Sequence, residues 1–166
     1  IKDFDNIIIV GGMGNALLKN TGINIGKSVC DDGYKDLVGE ILKKSKEHDC
    51  QIYYPLDVVV SKTLDGNGTI KEINEISDDE MILDIGPKTI TSIRNVINES
   101  NTVLWNGPAG YFENPNFANG TKEILEIIAN KKSKDKIYAV AGGGETVAVI
   151  NKFKKLDSFN FVSTAG

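Results

Sequence analysis

Short apolar runs typical of strands alternate along this chain with segments of helical periodicity. Four of these runs end in glycine just before a predicted helix, after Val10, Ile85, Trp105 and Ala141. Strands that alternate with helices indicate an α/β domain with a mostly parallel sheet that is covered on both faces. We therefore predict a Rossmann-like, three-layer α/β/α fold whose glycine-rich strand ends meet at one edge of the sheet.

The predicted elements fill the chain without an internal repeat or a low-complexity linker. Predicted strands cover residues 6–10, 51–54, 57–61, 81–85, 102–105, 137–141 and 159–163. The second and third of these runs are either one strand interrupted by Pro55 or two short strands. Residues 62–79 are polar and rich in turns, which indicates a hairpin or an excursion. One predicted helix begins at Asp31 or Asp32 and has a stripe expected to be buried, made of Leu37, Val38, Ile41 and Leu42.

Composition narrows the class of protein. A length of 166 residues is typical of a single domain, and we predict that residues 1–166 form that domain. Its 19 Lys and Arg against 23 Asp and Glu give a net charge of −4, which is not the basic balance of a nucleic-acid-binding protein. No apolar run approaches the roughly 20 residues of a membrane span. We therefore expect a cytoplasmic protein with neither a nucleic-acid nor a membrane partner.

Metal and disulfide frameworks are not indicated. Cys30, Cys50 and His48 do not have the spacing of a zinc site, and two cysteines so far apart favour reduced thiols. Gly12-Met13-Gly14 has Leu17 where the dinucleotide fingerprint needs its third glycine. Gly26-Lys27-Ser28 similarly lacks the leading glycine of a Walker A loop.

The glycine-rich strand ends nevertheless point to a ligand. Glycine lets backbone N–H groups approach a ligand closely, and a helix N-terminus offers unpaired N–H groups to an anion. Several such loops at one sheet edge indicate a ligand that carries phosphate, such as a nucleotide. For a single loop, the alternative that glycine only permits a tight turn is favoured, so the interpretation depends on their convergence.

Three strings of residues are specific enough to indicate a family. They are Trp105-Asn106-Gly107-Pro108-Ala109-Gly110-Tyr111-Phe112-Glu113, Gly142-Gly143-Gly144-Glu145-Thr146 and Ser163-Thr164-Ala165-Gly166. Together with Leu83 to Pro87, Pro55 to Val60 and Val10 to Met13, they resemble the phosphoglycerate kinase family in order and spacing. The chain is similar to the C-terminal, nucleotide-binding domain of that two-domain enzyme. We expect a fragment that lacks the N-terminal phosphoglycerate-binding domain and the extreme C-terminus.

The resemblance implies a reaction and its ligands. The family transfers a phosphoryl group reversibly between 1,3-bisphosphoglycerate and Mg-ADP, which gives 3-phosphoglycerate and ATP in glycolysis. Hinge closure brings the nucleotide to the phosphoglycerate, which the N-terminal domain holds through basic residues. The resemblance also implies a monomer. Carried over by position, the nucleotide-binding residues are Gly12, Val29, Asn106, Gly107, Ala109, Tyr111, Phe112, Glu113, Gly142, Gly143, Gly144, Glu145 and Thr146.

The same resemblance divides these residues by role. The adenine slot would be lined by Gly12, Val29, Ala109 and Tyr111. The carboxylate of Glu113 would accept hydrogen bonds from the ribose hydroxyls, with Asn106, Gly107 and Phe112 beside the nucleotide.

The triple glycine is the implied catalytic element. Its Gly143 and Gly144 would present a helix N-terminus to the transferring phosphoryl group, while Glu145 would bind Mg²⁺ and Thr146 would lie at the phosphates. Phosphoryl transfer needs positioning and charge stabilisation, which oriented N–H groups supply. Plain helix capping is the alternative role for Glu145.

Three residues depart from the family's pattern. Glu145 replaces the usual Asp, Ile82 replaces a usual Gly, and Asn15 stands where an aromatic residue is common. Two other function classes remain open, an NAD-dependent dehydrogenase domain and a non-catalytic adenine-nucleotide-binding module on the same fold. We expect the chain alone to bind ADP or ATP weakly and to have no measurable kinase turnover.

Overall fold

The computed structural model describes residues 1–30, 33, 35–134 and 136–163, and for residues 35 and 36 it describes the backbone alone. Within these residues the strands are β1 (Asn6–Ile8), β2 (Gln51–Tyr53), β3 (Asp57–Ser61), β4 (Thr69–Glu72), β5 (Met81–Ile85), β6 (Thr102–Asn106), β7 (Tyr138–Gly142) and β8 (Phe161–Ser163). The helices are α1 (Gly11–Asn20), α2 (Lys35–Glu47), α3 (Pro87–Glu99), α4 (Asn119–Lys132) and α5 (Gly144–Lys152). This alternation confirms the predicted α/β class.

The described strands form three hydrogen-bonded groups. Strand β1 pairs in parallel with β2, and β7 pairs in parallel with both β6 and β8. Strand β3 pairs antiparallel with both β4 and β5. The antiparallel group contains the turn-rich segment, because a hairpin needs only a short connection whereas parallel strands need a crossover. The predicted parallel pairing is therefore present in two groups. In the third group, β3 and β4 form a hairpin around the turn-rich segment, whereas the antiparallel pairing of β3 with β5 differs from the mostly parallel sheet that was predicted.

The main core lies between the β6–β8 group and helices α3, α4 and α5. Ile90, Ile93 and Ile97, which recur at helical spacing in α3, are buried there with Leu125 and Ile128, which are both 0% exposed. On the opposite face of the same strands, more than half of each side chain is exposed at Leu104, Tyr138 and Phe161. Helices therefore cover one face of this group within the described chain. None of the described helices is long and apolar enough to cross a membrane.

Some predicted details differ from the structure. The strand predicted to reach Val10 ends at Ile8, although Ile9 N–H still donates to the Tyr53 carbonyl at 2.8 Å, and Val10 is the extended N-cap residue of α1. The prediction that Leu37 is buried is wrong, because α2 packs only narrowly against α1 and β2. Val38, one residue further round the helix, is buried while Leu37 faces outward. The proposed caps Asp31 and Asp32 lie outside the described residues.

Two buried aspartates fix the starts of helices α3 and α4. The carboxyl group of Asp57, in β3, accepts hydrogen bonds from the backbone N–H groups of Lys88 (3.0 Å) and Thr89 (2.8 Å) in α3. The carboxyl group of Asp84, in β5, accepts one from Gly120 N–H in α4 at 2.8 Å. First-turn N–H groups have no partner inside their own helix, so these contacts lock α3 and α4 onto the strands.

Candidate functional site

The loop after β6 and the start of α5 lie side by side because β6 and β7 are parallel neighbours. Asn106 is paired with Gly142 in the ladder, and Gly107 N–H donates to Thr146 Oγ1 over 2.6 Å. The loop after β1 joins them, since a Cβ atom on Gly11 would lie 3.1 Å from the carbonyl oxygen of Pro108. Three of the four predicted glycine-rich ends therefore meet.

The fourth end, after Ile85, is explained by the fold. A Cβ atom on Gly86 would lie 2.3 Å from the carboxyl carbon of Asp57, and Gly86 is the N-cap residue of α3. Close packing against the buried carboxyl group therefore accounts for this glycine without a ligand.

The loop of residues 107–112 uses all of its backbone N–H groups within the protein. Pro108 has none, and the other five are donated to fixed acceptors. The pairs are Gly107 with Thr146 Oγ1 at 2.6 Å, Ala109 and Gly110 with Thr121 Oγ1 at 3.0 and 3.3 Å, Tyr111 with the Leu83 carbonyl at 2.7 Å, and Phe112 with the Gly110 carbonyl at 2.9 Å. The loop can offer a ligand side chains, carbonyl groups and apolar surface, but no free N–H donor. Such a surface suits a base or a sugar better than a phosphate.

The N-terminus of α5 has the opposite character. The first hydrogen bond inside the helix runs from Val147 N–H to the carbonyl of Gly143 at 3.1 Å, and no side chain caps the helix. The N–H groups of Gly144, Glu145 and Thr146 consequently have no acceptor among the described contacts. Free N–H groups at the positive end of a helix dipole form a site for an anion.

Two neighbouring glycines at this helix start are needed for different reasons. Gly143 has φ +87°, and a Cβ atom there would lie 2.6 Å from Asn106 Oδ1, so the fold itself requires glycine. At Gly144, a Cβ atom would have no neighbour within 4 Å, and the backbone is not left-handed. The fold therefore does not require glycine at position 144. A cavity of about 290 Å³ opens beside Gly143, on the side of the strands away from the helices, and it is lined by Leu104, Asn106, Val140, Ala141, Gly142, Gly143 and Ser163.

Glu145 is the predicted metal ligand, and its surroundings fit only one kind of metal site. It is exposed in the first turn of α5, beside the free N–H groups. The described residues contain no cluster of three Asp, Glu, His or Cys side chains that could hold a metal ion by themselves. Mg²⁺ keeps several waters and is commonly bound by one or two carboxylates together with substrate phosphates. Glu145 therefore fits Mg²⁺ that is bound together with phosphates.

The predicted adenine wall combines the first turn of α1 with the segment at Val29. A Cβ atom on Gly12 would have no neighbour within 4 Å, and Val29 is 81% exposed. Buried Asn15 donates from Nδ2 to the Val29 carbonyl oxygen at 3.0 Å, so it holds the segment against α1. The departure at Asn15 therefore brings a hydrogen bond that a phenylalanine could not make.

The far end of the loop is held by the far end of α5. Lys152 Nζ donates to the carbonyl oxygen of Phe112 at 2.9 Å and lies 5.5 Å from the centre of its ring. Glu113 follows directly and is exposed, as a ribose contact requires. Phe112 and Thr146 are both buried, and the Thr146 hydroxyl accepts from Gly107. These two predicted site residues therefore support the site from beneath its surface.

Asp84 links β5, the loop and α4, and no local sequence pattern indicates this role. Gly110 and Gly120 pack on its carboxyl group so closely that a Cβ atom on either would lie 2.5 or 2.4 Å from Oδ1. Burial raises the pKa of Asp84 to about 6, against backbone hydrogen bonds from Gly120 and Ile85 that lower it. Thr121 and Lys152 are likewise supporting residues that were not predicted. Their partners lie 12 and 40 residues away in the sequence, so only the folded chain reveals them.

Comparisons with known proteins agree with the strings found in the sequence. The family model described as phosphoglycerate kinase matches residues 1–166. Phosphoglycerate kinase of Francisella philomiragia is 45% identical over 165 residues, which cover 96% of this chain and 40% of that protein. That of Xanthobacter autotrophicus is 38% identical over 168 residues, which cover 100% of this chain and 42% of that protein.

Solved structures give the same result. The structure of phosphoglycerate kinase from Coxiella burnetii matches with a TM-score of 0.91 at 35% identity, over 98% of this chain and 42% of that one. The enzyme from Pyrococcus horikoshii matches with a TM-score of 0.78 at 26% identity, over 98% of this chain and 40% of that one. The chain thus spans about two fifths of the length of the relatives it matches. From its strings of site residues, its fold and a match that runs from residue 1 to 166, this chain belongs to the phosphoglycerate kinase family.

Proposed function

We propose that this chain is the nucleotide-binding part of a phosphoglycerate kinase. The enzyme would transfer a phosphoryl group reversibly between 1,3-bisphosphoglycerate and Mg-ADP, giving 3-phosphoglycerate and ATP. The observation that carries this proposal is the contrast between the two neighbouring loops. One has its N–H groups occupied, and the other has N–H groups free at a helix N-terminus. A nucleotide, with a base and sugar at one end and phosphates at the other, matches that contrast.

The proposal gives each loop one part of the nucleotide. The base would lie between Gly12, Val29 and the loop at Ala109 and Tyr111, with the ribose hydroxyls donating to Glu113. The phosphates would lie at the N-terminus of α5. Parallel pairing of Asn106 with Gly142 brings these two regions together and supports a single ligand that spans them.

The chemistry asks for electrostatic preorganisation. A transferring phosphoryl group carries developing negative charge, and oriented N–H groups stabilise it without reorganising during the reaction. The exposed residues Gly144 and Glu145, whose backbone N–H groups have no acceptor among the described contacts, would supply this stabilisation. Glu145 would hold Mg²⁺, which neutralises part of the phosphate charge when it is bound with the nucleotide. The Asp that is usual at this position in the family has one methylene group fewer than Glu, so the side chain of Glu145 reaches further from the helix.

The remaining parts of the proposal follow from the family. We place the phosphoglycerate site in the part of the enzyme's length that this chain does not span, and we expect the whole enzyme to be a cytoplasmic, monomeric glycolytic protein. The chain alone is expected to have no measurable turnover. A coupled assay in which the chain alone turned over like an intact enzyme would contradict that expectation.

Isothermal titration of the chain with Mg-ADP tests the nucleotide assignment. The wild type should bind saturably, and Glu113→Ala should bind at least several-fold more weakly because it loses the acceptor for the ribose hydroxyls. Glu123→Ala is a matched control, since Glu123 is a glutamate on α4 whose partner is Arg94. No binding by the folded wild type, or equal weakening by both variants, would refute the assignment. Saturable binding of NADH in place of Mg-ADP would favour the dehydrogenase class.

A further inference from the structure

The side chain of Thr121 is buried beneath the loop of residues 107–112, where it contacts the loop but no ligand could reach it. It lies in the first turn of α4 and is 0% exposed. Its Oγ1 atom accepts hydrogen bonds from two consecutive backbone N–H groups, Ala109 at 3.0 Å and Gly110 at 3.3 Å. One buried oxygen atom therefore fixes two adjacent peptide groups of the loop that is proposed to hold the base.

The position of Thr121 is itself fixed. The preceding residue, Gly120, donates its N–H to Asp84 Oδ2 at 2.8 Å, which locks the start of α4 onto β5. The same strand accepts the N–H of Tyr111 at the carbonyl oxygen of Leu83, at 2.7 Å. The loop between Ala109 and Tyr111 is therefore tied to one rigid support, made of β5 and the first turn of α4.

The support lies on one side of the proposed adenine slot. A Cβ atom on Gly11 would lie 3.9 Å from the carbonyl oxygen of Ala109, so the first turn of α1 lies close beside the loop. If the loop lost its tie to Thr121, two buried N–H groups would need a new acceptor, and the loop would shift toward water. Such a shift would alter the distance between Gly12 and Ala109.

We propose that Thr121 is a positioning residue of the nucleotide site, which sets the loop at Ala109 and Gly110 against α1 without touching the ligand. This inference rests on the proposed function, because the loop matters only if it binds the base. It predicts that the hydroxyl oxygen of Thr121 is required for affinity, whereas its methyl group is not.

The test compares three variants in a titration with Mg-ADP. Thr121→Val keeps the shape of the side chain and removes the acceptor, so we expect binding at least tenfold weaker than in the wild type. Thr121→Ser keeps the acceptor, and we expect its affinity to lie within threefold of the wild type. All titrations are made at a temperature at which circular dichroism shows each variant to be folded.

Thr89 provides a control, because it has a similar place in another helix and its Oγ1 likewise accepts two backbone hydrogen bonds. It lies in the first turn of α3, is 2% exposed, and accepts from the N–H groups of Leu56 and Asp57 at 2.9 and 3.2 Å. Its hydroxyl group also donates to Asp57, whose carbonyl oxygen and Oδ1 both lie at 2.8 Å. Thr89→Val should therefore lower stability at least as much as Thr121→Val, yet leave the affinity for Mg-ADP within threefold of the wild type.

The outcomes separate this inference from the proposed function. If the wild type binds Mg-ADP and Thr121→Val binds equally well, or Thr89→Val loses as much affinity, the positioning role is refuted and the nucleotide site stands. If Thr121→Val does not fold, the serine variant decides, since a tenfold loss in Thr121→Ser would also refute the role of the oxygen. Failure of the folded wild type to bind Mg-ADP would refute the proposed function and this inference together.

Discussion

Gly144→Ala separates the requirements of the ligand from those of the fold. The added methyl group would meet no atom within 4 Å, and the backbone at Gly144 is not left-handed. An alanine in a helix is favoured over glycine by up to about 1 kcal/mol, and the gain is smaller in a first turn. We therefore expect the free energy of unfolding, measured with urea, to stay equal or to rise slightly.

Binding should change in the opposite direction. The methyl group would project from the helix start at which the N–H groups are free, and it would hinder the close approach of a phosphate oxygen. Removing one donor from an oxyanion site costs about 2.7–4 kcal/mol of transition-state stabilisation. Because Gly144→Ala keeps its N–H group and acts on a bound phosphate, we expect a smaller effect on binding, about 1.4 kcal/mol, which is a tenfold loss of affinity for Mg-ADP.

Gly39→Ala is the matched control for this prediction. Gly39 is an exposed helical glycine in α2, and a Cβ atom there would likewise meet no atom within 4 Å. It should raise stability by up to about 1 kcal/mol and leave the affinity for Mg-ADP unchanged. If titration calorimetry gave the same affinity for Gly144→Ala and Gly39→Ala, the assignment of phosphate to the start of α5 would be refuted.

Two further predictions concern carboxyl groups. Burial raises the folded-state pKa of Asp84 from 3.8 to about 6, so its contribution to stability is greatest below pH 3.8 and declines as the pH rises to 6. Two pKa units correspond to about 3 kcal/mol. Between pH 3.5 and 7, the free energy of unfolding of the wild type, measured with urea, should therefore fall by about that much more than the free energy of unfolding of Asp84→Asn. Parallel pH curves for the two proteins would contradict this. Glu145→Gln should weaken the Mg²⁺ dependence of ADP binding while leaving metal-free ADP binding within about threefold, and equal losses with and without Mg²⁺ would indicate a capping role instead.

Periodic patterns predicted most of the elements of this fold, because each element buries a regular stripe. Ile90, Ile93 and Ile97 recur at helical spacing and are all buried in α3. The antiparallel pairing of β3 with β5 was not predicted, because a buried strand has the same apolar sequence pattern whether its neighbour is parallel or antiparallel. The burial of Leu37 was predicted wrongly, because an apolar stripe on a helix does not reveal how wide a surface the neighbouring elements cover.

Prediction of the candidate site was limited in a similar way. Glycine-rich strand ends and the strings of residues 105–113 and 142–146 identified both loops. The sequence could not reveal which N–H groups remain free, because that depends on acceptors such as Thr121 and Thr146, which the fold brings to the loop. Gly143 and Gly144 are equivalent in the sequence, yet only Gly143 is required by the backbone.

Residues 107–113 are proposed to bind the base and ribose, while the start of α5 is proposed to bind the phosphates. Titration of ¹⁵N-labelled chain with adenosine and, separately, with Mg-ADP tests this assignment directly, with backbone amide shifts as the signal. We predict that the amides of Gly144 and Glu145 respond to Mg-ADP and not to adenosine, while the amides of Gly107 and of residues 109–113 respond to both. Shifts at the α5 amides with adenosine, or their absence with saturating Mg-ADP, would contradict the account.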